Sequence, residues 1–137
     1  MSRPYQKVCE KLRHAGLRPT RQRLALGKLL LDGEDRHVTA EQLHQNVMET
    51  GMQVSLATVY NTLNQFTRAG LLKEIVVESG RSYFDTNMRA HHHFFCEDTG
   101  RLTDIDAASI PLGAIPAAPD GTEVTGIEVI VRLRSCN

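Results

Sequence analysis

The feature that most constrains this chain is a change of hydrophobic period at Gly70. Through "SLATVYNTLNQFTRAG" (residues 55–70) the apolar residues Leu56, Val59, Leu63 and Phe66 recur at i, i+3, i+7 and i+10, which places them on one buried face of a helix. Directly after Gly70 the period falls to two in "LLKEIVVE" and "RSYFDTN", with a turn expected at Ser79-Gly80, and this reads as a β-hairpin. A chain that changes period so abruptly must set a helix against a hairpin.

Three further helical runs precede this point. Tyr5, Val8, Cys9 and Leu12 recur at helical spacing before Gly16, and Thr20 caps a run containing Leu24, Leu26 and Leu29 to Leu31 that ends at Gly33. Thr39 opens "TAEQ", a capping box with Gln42, on a helix that runs to Gly51, and Ser55 caps the fourth helix. Helices two to four followed by a hairpin form a winged helix-turn-helix. We therefore expect an α+β protein: a winged-helix domain over residues 1–86, a short linker at residues 87–90 ("NMRA"), and a small, mainly β, α/β dimerisation domain over residues 91–137.

Charge divides along the same line. Sixteen basic and sixteen acidic side chains cancel overall, yet residues 1–89 carry 13 Lys/Arg against 9 Asp/Glu and residues 90–137 carry 3 against 7. A basic head suggests a polyanion partner, although an ordinary solvated helix face would also account for it. The outward face of the fourth helix carries Ala57, Thr58, Asn61, Gln65 and Arg68, with Tyr60 at its flank, and no acid. Amide and hydroxyl groups of this kind can meet base edges in a groove, which suits a recognition helix on double-stranded DNA. The residues expected at such an interface are Arg13, Arg18, Thr20, Arg21 and Arg23 of the basic head, then Ser55, Ala57, Thr58, Tyr60, Asn61 and Gln65.

The C-terminal part opens with "HHHFFCEDTGRLTDID" (residues 91–106). If "HHHFFC" is a strand, His91, His93 and Phe95 point one way while His92, Phe94 and Cys96 point the other. A symmetric hairpin closed by "EDTG" pairs Phe95 with Leu102, His93 with Asp104 and His91 with Asp106; a three-residue loop would shift this register. Cross-strand partners have Cβ atoms about 5 Å apart, so His91, His93 and Asp104 converge. Two imidazoles and a carboxylate suit a borderline divalent ion such as Fe²⁺, Mn²⁺ or Zn²⁺, and a histidine merely hydrogen-bonded to an aspartate is the milder reading. Beyond the hairpin, a Pro/Ala-rich stretch from 107 to 119 argues against a long helix, and "GIEVIVRLR" alternates as a strand whose Ile127, Val129, Val131 and Leu133 need cover, for which a dimer partner is the expected source.

With these motifs in order, the chain resembles the ferric uptake regulator family along nearly its whole length. The resemblance rests on "AGLRPTRQR", "HVTAEQL", "SLATVYNTLNQFTRAGLL", "YFDTN" and "HHHFFCEDTGRLTDI". It implies a homodimeric, metal-dependent transcriptional regulator that binds palindromic, AT-rich operators. It further implies one divalent ion per subunit at a hinge, Fe²⁺ or Mn²⁺ with Zn²⁺ as a substitute, held by His37, Asp85, His91, His93 and Asp104. His37 and Asp85 are placed there by the resemblance alone. Tyr60 on the recognition helix and Arg18, reaching the minor groove, are implied as DNA contacts.

Departures from the family pattern sharpen the reading. A structural zinc bound by two CxxC pairs is not expected, because Thr99 stands where a second cysteine would follow Cys96, and Cys136 is alone. A further family site also lacks its ligands, with Ala90, Pro111 and Ile127 at its positions. The triplet, "YFDTN" and "VIVRLRS" are most similar to the iron response regulator (Irr) branch, in which the histidine region is associated with haem, here His91, His92 and His93. Cys9 is followed by Glu10, so that branch's Cys-Pro motif is missing. Asp85 also fits the peroxide-sensing PerR branch, where Fe²⁺ held by three His and two Asp reacts with peroxide.

Other classes are less well served. Two His and a carboxylate with open positions could form a non-haem iron oxygenase centre, but that needs a deep apolar pocket which a short chain half occupied by a winged helix has little room to build. Cys96 has no evident helix N-terminus or basic neighbour to lower its pKa as a nucleophile. No window approaches the roughly 18 apolar residues of a membrane span, and the N-terminus has no signal-like apolar stretch, so a cytoplasmic, soluble protein is expected.

Overall fold

The computed structural model describes residues 5–78 and 80–136, which divide into two compact units, Met1–Met88 and Arg89–Asn137. Ser79, part of the expected hairpin turn, lies outside the described residues.

The first unit contains α1 (Gln6–His14), α2 (Arg21–Leu31), β1 (His37–Val38), α3 (Ala40–Glu49), α4 (Leu56–Arg68), β2 (Lys73–Glu78) and β3 (Arg81–Asp85). Three helices begin where a short polar side chain can accept an otherwise unpartnered backbone N–H. Thr20 Oγ1 accepts from Arg23 N at 3.2 Å, and Ser55 Oγ from Thr58 N at 3.1 Å. At α3 the capping box is complete: Gln42 N donates to Thr39 Oγ1 at 3.1 Å and Thr39 N donates to Gln42 Oε1 at 2.9 Å. The end of α4 is equally well defined. Gly70 sits at φ +82°, where Gly70 N donates to Thr67 O and Leu71 N to Phe66 O, turning the chain out of the helix and into the hairpin.

Of the apolar face expected on α4, Val59, Leu63 and Phe66 are wholly buried, while Leu56 is partly buried at the rim of the same core. They pack with Val8, Leu12, Leu26, Leu30, Leu43, Val47, Leu72 and Phe84, so every helix of this unit and its sheet contribute to one interior. Gly27 permits the close approach of α1 and α2, since a Cβ there would stand 2.7 Å from Val8 Cγ1. The hairpin strands β2 and β3 form a three-stranded antiparallel sheet with β1 in the order β1-β3-β2. The first strand is shorter than the sequence pattern, beginning at Lys73 rather than Leu71, and a bulge lies between Val76 and Glu78.

The second unit holds β4 (His91–Cys96), β5 (Leu102–Asp106), a 3-10 turn (Ala107–Ser109) and β6 (Ile130–Leu133), with sheet order β5-β4-β6. β4 and β5 pair in the register expected from sequence: His91 with Asp106, His93 with Asp104 and Phe95 with Leu102. Cys96 N donates to Arg101 O at 2.9 Å and Gly100, at φ +74°, returns the chain, so the "EDTG" turn has the symmetric length that this register requires. β6 runs parallel to β4, pairing His93 with Ile130 through Cys96 with Leu133. β5 brings the chain back to the start of β4, and residues 107–129, including the Pro/Ala-rich stretch, then lead across to the other edge of β4, where β6 begins.

The expected strand over "GIEVIVRLR" is corrected here. Only Ile130–Leu133 pair along β4, Val124 and Ile127 are exposed outside the strand, and Leu133 is exposed at its end. At its end β6 stops with β4 at the Cys96–Leu133 pair, while at its start Val129 N is taken by the His92 ring and the ladder begins only at His93–Ile130.

Candidate metal centre and nucleic-acid face

The two units each bring donors together by the same device, a pair of residues opposed across an antiparallel ladder. In the second unit this pair is His93 and Asp104, with His91 two residues along β4 on the same face. His93 Nε2 stands 3.3 Å and His91 Nε2 3.7 Å from Asp104 Oδ1, and the imidazole rings meet edge-on with centroids 4.5 Å apart. The donor atoms of the three residues all lie within 4.8 Å of one another. Both histidines are buried, whereas the Asp104 side chain is half exposed, so the cluster has one face open to an arriving ion.

The tautomer of His91 is set by its surroundings. Its Nδ1 lies 2.7 Å from the carbonyl oxygen of Arg89, which can only accept, so Nδ1 carries a proton and Nε2 is the ring nitrogen turned toward Asp104. A ligating histidine is generally held in this way, through its other ring nitrogen and a backbone carbonyl. The donor set therefore fits a divalent ion in element and spacing. His92 is different: its Nδ1 accepts the backbone N–H of Val129 at 3.0 Å, so this ring fastens the chain ahead of β6 to β4.

In the first unit His37 on β1 and Asp85 on β3 are register partners. Asp85 is buried and its Oδ1 accepts from Asn87 N at 2.9 Å, and the ring of His37 lies edge-on to Tyr83 at 6.1 Å. Strand β1 is only two residues long, so no alternation announced it.

The expected DNA-facing residues also fall on the first unit. Arg18, Thr20, Arg23, Thr58, Asn61 and Gln65 line one shallow depression of about 480 Å³, together with Gln22 and Thr62, which the sequence reading missed. Arg21 lines a neighbouring depression with Gly51, Met52 and Gln53, while Arg13 is exposed on the last turn of α1 and Ala57 on the first turn of α4. The hydroxyls of Thr20 and Ser55 serve as helix caps. Tyr60 is exposed and donates its hydroxyl to Glu41 Oε1 at 2.7 Å, an α3 residue absent from the sequence-derived set. The Tyr60 hydrogen bond holds the Glu41 carboxyl below its ordinary range, and the same bond raises the Tyr60 phenol.

The Cys96 thiol is pulled below its ordinary value, first by a hydrogen bond from the Thr99 side chain and then by the Thr99 backbone and Ser135, with no basic residue among the causes.

A helix-turn-helix with a hairpin wing, and a separate β unit bearing an imidazole and carboxylate cluster, define a winged-helix protein with a ligand-binding module. The pattern of the ferric uptake regulator family matches residues 14–129, and the chain belongs to that family. The ferric uptake regulation protein of Shigella flexneri is 38% identical over 100 residues, covering 72% of this chain and 68% of that protein. Among solved structures, the ferric uptake regulator of Pseudomonas aeruginosa with manganese is 31% identical with a TM-score of 0.70, covering 93% of this chain and 97% of that one. The Vibrio cholerae ferric uptake regulator is 27% identical with a TM-score of 0.72, over 93% of this chain and 98% of its own. Proteins of this family are metal-responsive transcriptional regulators and not enzymes, which sets aside the oxygenase alternative. Among the described residues no helix is long and apolar enough to cross a membrane.

Proposed function

We propose that this chain is an iron-responsive, homodimeric regulator that binds palindromic, AT-rich operator DNA through α4 and the basic segment before α2. A divalent ion, Fe²⁺ or Mn²⁺, is held by His91, His93 and Asp104, with His37 and Asp85 as the further donors that the family resemblance implies. Residues 87–90 then act as the hinge. The observation that carries this reading is the bond from His91 Nδ1 to the Arg89 carbonyl, which presents Nε2 to a cation in the same cluster as His93 and Asp104. The pairing of His37 with Asp85 supports it, because each unit has already brought its own donors together. The manganese present with the Pseudomonas aeruginosa relative agrees in ion class.

An ion can shift a conformational equilibrium only by its different affinity for the two states, and each tenfold difference is worth about 1.4 kcal/mol. Donors drawn from two units, as the family resemblance implies, supply such a difference.

Haem on His91, His92 and His93 finds less support, because all three are at least nine-tenths buried and His92 Nδ1 is already engaged by Val129. Oxidation of ligand histidines by peroxide would use the same donors. Titration of the metal-stripped full chain with Mn²⁺ tests the proposal. One saturable ion per chain is expected, with affinity lowered at least about tenfold in His93→Ala, and tighter binding to duplex DNA in the loaded protein. Absence of saturable uptake, or uptake unaltered in His93→Ala, overturns the assignment; running haem and peroxide in parallel identifies the physiological signal.

A further inference from the structure

We propose that Arg23 sets which bases Gln65 can read, acting as a positioning residue for the recognition helix instead of as a DNA contact. This rests on the reading of α4 as that helix. Arg23, on α2, directs Nε at 3.3 Å and Nη2 at 3.1 Å to Gln65 Oε1, and Nη1 at 2.8 Å to the backbone carbonyl of Arg18. A guanidinium has only donors, so the Gln65 atom facing it must be the carbonyl oxygen, and the orientation of the amide is fixed by chemistry. Both side chains are half-buried, which strengthens a charge-assisted bond relative to one in open water.

The consequence lies in what Gln65 has left to offer. A glutamine normally reads adenine with both ends of its amide, accepting from N6 and donating to N7. With Oε1 held by a cation, only the amide hydrogens are available to a duplex in the depression that Gln65 shares with Thr58 and Asn61. A donor alone is accepted by N7 of either purine, by guanine O6 and by thymine O4, and it disfavours cytosine, which presents its own N4 donor. The bond to the Arg18 carbonyl ties the basic segment to the same guanidinium, so one side chain positions both the base-reading amide and the loop ahead of α2.

The test is selection from a random-sequence duplex library with the full-length, Mn²⁺-loaded protein, with circular dichroism confirming that each variant folds. Gln65→Ala identifies the position read, by flattening it. There the wild-type protein should reject cytosine about tenfold while accepting the other three bases, and Arg23→Ala should convert this into a preference for adenine. Should Arg23→Ala not fold, Gln65→Glu keeps the Arg23 contact but removes the donor, and should invert the preference toward cytosine. A wild-type position already specific for adenine, or base preferences unmoved by these variants, overturns the inference. Enrichment of no sequence by the wild-type protein overturns the DNA-binding reading itself, and the inference with it.

Discussion

The interior of the helical unit is built from Val8, Leu12, Leu26, Leu43, Leu63, Phe66, Phe84 and their apolar neighbours, whereas the buried apolar residues described in the β unit are Phe95, Leu102 and Ile105, set beside buried His91, His92 and His93. An apolar interior is stabilised by burial alone, at about 25 cal/mol per Å² removed from water. An interior containing imidazoles must also satisfy their nitrogens, because burying a polar group without a partner costs more than burial returns. The difference is one of proportion: the helical unit buries Thr62 and Asp85 beside a large apolar core, and the β unit gives much of a small core to three imidazoles.

The largest test of this contrast is Phe66→Ala, which should cost about 3–5 kcal/mol in urea denaturation, as expected for a large aromatic removed from a wholly apolar site. A loss near 1 kcal/mol would mean that α4 is not anchored by its buried face, and the comparison would fail. The counterpart for the β unit is the ion. Mn²⁺ at a hundred times its dissociation constant should stabilise the protein by about 2.7 kcal/mol, and His93→Ala should abolish the gain. Equal stabilisation of both proteins would show that the imidazoles fill the interior without taking part in binding.

A smaller effect is expected at α3. Thr39→Ala removes the cap from Gln42 N and should cost about 1 kcal/mol by the same measurement; no loss would show that the fold owes little to its local bonds. The smallest concerns Glu41, an exposed group. Its carboxyl is held below the ordinary range by Tyr60, so the stability it contributes is present above that range and is lost as pH falls through the depressed value. The difference between wild type and Glu41→Gln should therefore close on acidification below about pH 4. It should close again at high pH as the raised Tyr60 phenol ionises. A constant difference from pH 3 to pH 7 would remove the carboxylate from the account.

What could be read from sequence followed the range of the interaction. The caps at Thr20, Thr39 and Ser55 join residues three apart, so a short window contains both partners. His93 and Asp104 could be paired because a period of two and one four-residue turn fix the register between them. His37 and Asp85 could not, since β1 carries no pattern and its partner lies 48 positions further on; only the family resemblance brought them forward. Arg23 and Gln65 are 42 residues apart, and nothing in either neighbourhood marks them as bonded. The length of β6 was hidden for a related reason, because nothing in "GIEVIVRLR" reveals that Val129 N bonds the His92 ring, 37 residues away.

The parallel pairing of β6 on β4 also orders the birth of the molecule. The hairpin that presents His91, His93 and Asp104 is complete once residue 106 has left the ribosome, but one edge of β4 waits for residues 130–133. Through that interval the nascent chain displays an open row of backbone donors and acceptors, the feature by which strands of separate chains adhere. Slowing translation between codons 107 and 129 would prolong that exposure and so test newly made chains for aggregation.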